Sequence, residues 1–79
     1  MYYEINVAKL TDNKELPYKH FFATAKRSCT SIHDAQEVLA EFVVKFPKPE
    51  YNIMMSYCEE SERNIDINKF LENPYNPND

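Results

Sequence analysis

Cys29 follows Arg27 by two residues and immediately precedes an amphipathic stretch, with His33 four residues further on. A cysteine beside a guanidinium and a helix N-terminus is where a thiolate is favoured, and a nearby histidine is a candidate base. Nucleophilic catalysis also needs a group to orient the base and donors for an oxyanion. The sequence offers neither at a recognisable spacing. No catalytic residue is assigned, and an incidental small residue near a helix start is the plainer account of Cys29.

His20, Cys29, His33 and Cys58 are in number a Cys2His2 set. They lack the paired C-x2-C and H-x3-H spacings that pre-organise zinc, so no metal is expected. Glu59, Glu60 and Glu62, with Asp66 beyond, form an acidic run. Without the EF-hand pattern that run reads as a solvated turn. The chain contains no Gly, which removes phosphate-binding loops and dinucleotide fingerprints, and no cofactor is expected. Turns that need φ > 0 must then fall to Asn or Asp.

The elements that would position these residues are organised around residues 31–46, SIHDAQEVLAEFVVKF. Ala35, Val38, Leu39, Phe42, Val43 and Phe46 repeat at the i, i+3, i+4 spacing of one helical stripe, with Asp34, Gln36, Glu37, Glu41 and Lys45 opposite. Ser31 is the natural N-cap, with Asp34 three residues on, and Pro47 stops the helix. Before it, residues 2–10 alternate as a half-buried strand, with Tyr3, Ile5 and Val7 on one face. Residues 20–26, HFFATAK, read as a second strand whose Phe21, Ala23 and Ala25 face the helix; residues 27–30 link it to the helix. After a stiff turn at residues 47–50, residues 51–59 form a third strand with Ile53, Met55 and Tyr57 on one face. Residues 59–64 read as a turn. Residues 65–67 either begin a short fourth strand, or Asp66 caps a helical turn carrying Ile67, Phe70 and Leu71.

The expected fold is α+β: a three-stranded antiparallel sheet, β-β-α-β in order 2-1-3, with one helix on one face and a short C-terminal helical or extended segment. Residues 1–72 form one domain, and residues 73–79 a frayed tail.

The net charge of −4 argues against a protein that coats nucleic acid. The charge is uneven: residues 1–30 carry five Lys/Arg against three Asp/Glu, and residues 31–79 four against ten. No apolar run reaches the roughly 18 residues of a membrane span, and the N-terminus lacks a signal peptide's apolar core. Two cysteines at unremarkable spacing fit reduced thiols in a cytoplasmic protein.

One helix covers one sheet face. The other would carry Phe22 and Met54, either covered by Phe70, Leu71 and Tyr75 of the C-terminal segment or offered to a partner. Leu16 and Tyr18 give the loop over residues 12–18 an apolar character. The candidate contact residues are thus Leu16, Tyr18, Phe22, Met54, Phe70 and Leu71.

At YYEINV, HFFATA and the capped helix running into KFPKPEY, the chain resembles short uncharacterised proteins of Bacteroides-like bacteria and their mobile elements. The likeness spans about residues 2–58. It implies no activity, but an accessory or mobile-element context; the 12–18 loop is longer than their tight turn. The leading expectation is a non-enzymatic protein-interaction module, with a protein partner or a second copy. The alternative is a nucleic-acid-associated accessory protein using Lys9, Lys14, Lys19, Lys26 and Arg27.

Overall fold

The computed structural model describes residues 1–11 and 20–78. Among these, six elements follow in order: β1 (Tyr2–Thr11), β2 (His20–Cys29), α1 (Ile32–Lys45), β3 (Tyr51–Cys58), β4 (Glu62–Ile65) and α2 (Ile67–Glu72). The class is α+β with an antiparallel sheet. The sheet has four strands rather than the expected three, in the order β2-β1-β3-β4.

Alternation along β1 organises the sheet. Tyr3, Ile5 and Val7 are buried, and Glu4, Asn6 and Ala8 take the opposite face. β3 shares this facing, Met55 and Tyr57 pairing with Ile5 and Tyr3, although Ser56 on the opposite face is buried as well. Both helices lie on the Tyr3–Ile5–Val7 face. Ala35, Leu39 and Phe42 are the buried stripe of α1, as the spacing predicts, and Ser31 Oγ accepts from the Asp34 amide at 3.4 Å as N-cap. Around this stripe, aromatic rings stack at both ends of the sheet. Phe42, Phe46 and Tyr51 run edge to face at 5.3 and 5.1 Å. At the other end Tyr3 meets Tyr57 at 4.9 Å and Phe70 at 5.4 Å.

A fourth strand and a second helix both form, but β4 spans Glu62–Ile65: it takes residues read as a turn and ends at Ile65, where a strand was read to begin, and the Asp66-capped helix follows it. In β4 three of four side chains are exposed and only Ile65 is buried, so the strand is held by backbone pairing and carries no apolar alternation to read. Asp66 then caps α2, its carboxylate accepting from the Lys69 amide at 3.2 Å.

This placement corrects the expected destination of the C-terminal segment. Phe70 is fully buried beside Tyr3, on the helix side of the sheet, and does not cover Met54. Residues 73–78 are irregular, but they are tied down rather than frayed. Tyr3 Oη donates to the Tyr75 carbonyl at 3.0 Å, and the Asp66 amide donates to Tyr75 Oη at 3.0 Å. Gln36 also leaves its expected solvent position: half-buried, it donates to the Leu71 carbonyl at 3.3 Å, one of the carbonyls a helix end leaves unpaired.

β2 departs most from its reading. It continues through Cys29, so residues 27–29 are strand and not linker. Its register with β1 shifts between Val7 and Ala8, leaving Thr24 as the extra residue of a bulge. A bulge resets the alternation of the strand. Ala25 stays on the helix side opposite Val7, while Ala23 pairs with Ala8 on the open face and Phe22 pairs with Lys9 on the helix side. The sequence reading had Ala23 and Phe22 the other way round. The Phe21 side chain lies outside the described residues. No described residue has positive φ, so the turns described here do without the left-handed Asn or Asp expected of a chain lacking Gly.

Candidate interaction surface

Cys29 closes β2 opposite Tyr3 and is 7% exposed. Burial pushes its thiol up from the ordinary value, Arg27 pulls the other way, and Asp34 adds to the upward push. The features that would favour a thiolate are thus outweighed: the strand extension carries Cys29 into the core, where desolvation exceeds the pull of the neighbouring guanidinium. His33 is exposed on the first turn of α1.

The Cys2His2 set is dispersed by the fold. Cys29 lies on the helix face, Cys58 pairs with Tyr2 on the other face, and the His20 side chain lies outside the described residues. Among the described residues no three His, Cys, Asp or Glu side chains gather as metal ligands. The acidic run is likewise split: Glu59 and Glu60 lie in the exposed β3–β4 turn, Glu62 in β4, and Asp66 on the α2 amides.

Nor do the described residues among the candidate basic set, Lys9, Lys26 and Arg27, form one footprint. Lys9 pairs with Glu50 at 3.6 Å and Lys26 with Glu4 at 3.4 Å. Arg27 lines a groove with Asp34, Glu37 and Glu41 of α1. Lys14 and Lys19 lie outside the described residues, as do Leu16 and Tyr18 and the whole 12–18 loop.

Of the candidate contact residues, Phe70 is core and Phe22 sits on the helix side of the sheet, 54% exposed. Leu71 is half-buried and borders a groove of about 340 Å³ with Val43, Phe46, Ile53 and Ile67 at the C-terminal end of α1. Met54 remains on the open face, 55% exposed.

That face can be built from the ladder. Asn6 sits between Lys26 and Met54, Ala8 between Ala23 and Asn52, and Glu4 between Ser28 and Ser56. Its central polar groups already have partners. Asn6 Nδ2 donates to Glu4 Oε1 at 3.0 Å, Lys26 approaches the same oxygen, and Ser56 Oγ shares a hydrogen bond with Cys58 Sγ at 3.9 Å. The Asn6 hydrogen bond above all, and then Lys26, hold the Glu4 carboxyl below its usual value against an opposing push from burial. The Tyr2 hydroxyl at the margin is pushed up, chiefly by its hydrogen bond to Cys58. What projects from this paired polar sheet is Met54. Beside it lies a shallow depression of about 450 Å³ bordered by Ala8, Ala23, Thr24 and Lys26.

Sequence reasoning placed Ala8 on this face but Ala23 on the other, because the bulge that brings them opposite one another has no signature in residue types. It also missed the Leu71 groove, whose partial signal was the i, i+4 pair Ile67 and Leu71 after a capping Asp66.

The sheet edges are protected against adding strands. Edge strand β2 carries its bulge at Thr24 and exposed Lys26 and Arg27; edge strand β4 has four residues and is flanked by the tail, where Arg63 donates to the Pro77 carbonyl at 3.4 Å. Bulges, charges and short edge strands are the devices that block edge pairing. No described helix is long and apolar enough to cross a membrane. Comparison of the chain with protein-family models, with curated proteins and with solved structures finds no match.

Proposed function

We propose that this protein is a non-enzymatic protein-interaction module that presents the open face of its sheet to a protein partner, in an accessory role of the kind mobile elements carry. The supporting observation is the unequal treatment of the two sheet faces. Both helices and the tail pack on one, and the other keeps Met54 55% exposed beside the Ala8–Ala23 depression. An antiparallel sheet can face water on one side if that side is polar. Here Glu4, Asn6, Lys26 and Ser56 at the centre of the face already have side-chain partners, so covering them costs less than burying groups still bound to water. The non-enzymatic reading rests on Cys29, whose burial disfavours the thiolate a nucleophile needs.

The test is site-specific photo-crosslinking in cells, with the reactive residue placed at Met54 or, as a control, at Val44, which is 81% exposed on α1. A discrete protein adduct from position 54 and none from position 44 is expected. Equal or absent labelling at both positions would refute the proposal.

A further inference from the structure

We infer that the helix side of the sheet carries a peptide-binding site which this chain fills with its own residues 74–78, and that the partner it fits is a segment presenting a tyrosine followed by Asn-Pro. The site is separate from the open face and stands whether or not a partner docks there.

The Asn73 amide donates to the Lys69 carbonyl at 2.9 Å and closes α2. Beyond it, among the described residues, residues 74–78 have no backbone-to-backbone hydrogen bond to the sheet or the helices. Side chains hold them instead, along one row of the sheet. Tyr3 of β1, Tyr57 of β3 and Arg63 of β4 stand side by side in register. Tyr3 Oη donates to the Tyr75 carbonyl at 3.0 Å, Asn76 Nδ2 donates to Tyr57 Oη at 3.4 Å, and Arg63 donates to the Pro77 carbonyl at 3.4 Å. Successive residues of the segment thus meet successive strands.

Tyr75 is the anchor. Its ring lies 5.9 Å from that of Phe70, and its hydroxyl accepts from the Asp66 amide at 3.0 Å. Pro74 and Pro77 fix two φ angles and bias Asn73 and Asn76 towards extended backbone, so little freedom is lost on docking. An aromatic anchor, fixed donors on main-chain carbonyls and flanking prolines make up the arrangement of a bound peptide.

The receiving groups do not depend on this occupant. Tyr3 and Tyr57 are held by the strand ladder and Phe70 by α2. A segment without backbone pairing opens at lower cost than the core it covers. Lifting it breaks the bonds from Tyr3 Oη and the Asp66 amide to Tyr75, and an incoming tyrosine can remake both. Residues 74–78 therefore act as an autoinhibitory strap: a partner's apparent affinity falls with the fraction of time they stay docked.

The probe is a synthetic peptide with the sequence of residues 73–79, NPYNPND, titrated into the whole isotope-labelled chain and followed by NMR. Tyr75→Ala removes the anchor and leaves the sheet and α2 intact. This variant is expected to bind the peptide with a Kd of about 1 mM or tighter, shifting the amide signals of Tyr3, Tyr57 and Asp66. A peptide with alanine in place of its tyrosine should shift none of them. The native chain should bind about tenfold more weakly or less, because its own segment competes. Tyr75→Phe keeps the ring and loses the acceptor; it should fall between the two, and it serves as the test should Tyr75→Ala not fold. A folded variant with no saturable shift at up to about 5 mM peptide, or native and variant chains that bind it equally, would overturn the inference. Shifts centred on Asn6 and Met54 would put the peptide on the open face, overturning this inference while leaving the interaction-module proposal standing.

Discussion

Replacing Phe70 with Ala tests how the C-terminal segment belongs to the fold. The ring is fully buried, 5.4 Å from the Tyr3 ring and 5.9 Å from that of Tyr75. Removing it forfeits the transfer of the ring out of water and leaves a cavity that relaxes only in part, together about 3–5 kcal/mol. A chain of 79 residues has roughly 4–12 kcal/mol of stability in all. A loss of about 4 kcal/mol is therefore at least a third of the total. For a domain of this size it lowers Tm by about 15–30 °C, at 4–8 °C per kcal/mol. The chain has no Trp, and Tyr3, Tyr57 and Tyr75 surround the site. Tyrosine fluorescence, to which these three of the six tyrosines contribute, and far-ultraviolet circular dichroism, which averages over the whole backbone, thus follow urea unfolding by two different signals. The expected result is a lower midpoint with an unchanged m-value and coincident curves, the behaviour of a residue inside one cooperative unit. A loss below about 1 kcal/mol, in the range of ordinary surface substitutions, would refute the docking of α2 on Tyr3. Non-coincident curves would show α2 unfolding apart from the sheet, and would equally count against a single core.

Two further outcomes follow from the buried thiol and the paired carboxylate. Cys29 should be alkylated more slowly than the half-buried Cys58 in the native state, with the difference lost in urea; faster labelling of Cys29 near neutral pH would contradict its burial. Glu4, held below the usual carboxylate value, contributes stability that is present above the unfolded-state value and lost as pH falls through the depressed native one, because the unfolded chain then takes up the proton first. In Asn6→Ala the NMR titration midpoint of Glu4 should move up towards the ordinary value. An unmoved midpoint would mean that Asn6 is not its main partner.

The parts of the fold that were readable share one property: burial imposed a period on residue type. The α1 stripe, the alternation of β1 and the Ile53–Met55–Tyr57 face of β3 each show this, and the Ser31 and Asp66 caps were legible from their oxygens and positions. What escaped was set by backbone geometry or by distant partners. β4 exposes three of its four side chains and so had no pattern to detect. The Thr24 bulge moved Ala23 and Phe22 across the sheet, because one extra residue inverts the facing on one side of it relative to the other, here that of the residues before Thr24, while the composition stays the same. Phe70 was seen as an anchor but sent to the wrong face. The choice turned on Tyr3, whose ring and hydroxyl receive Phe70 and the Tyr75 carbonyl, a contact across 72 residues of sequence.

The correction at Phe70 also changes what the surface means. Had the C-terminal segment covered Met54, both sheet faces would be closed and the remaining features would be loops and grooves. Because Tyr3 draws that segment to the helix side, both described helices lie on one face, and the other is left as a largely polar sheet from which Met54 projects, with Tyr2 partly exposed at its margin. The bulge that displaces Ala23 contributes twice to this arrangement. It blunts the β2 edge against strand addition, and it sets two alanines opposite each other to make the hollow beside Met54. One irregularity in β2 therefore closes the edge route to association while shaping the face route. Substitutions at Ala8, Ala23 and Met54 should act on association and leave stability nearly unchanged, whereas those at Tyr3 and Phe70 should do the reverse.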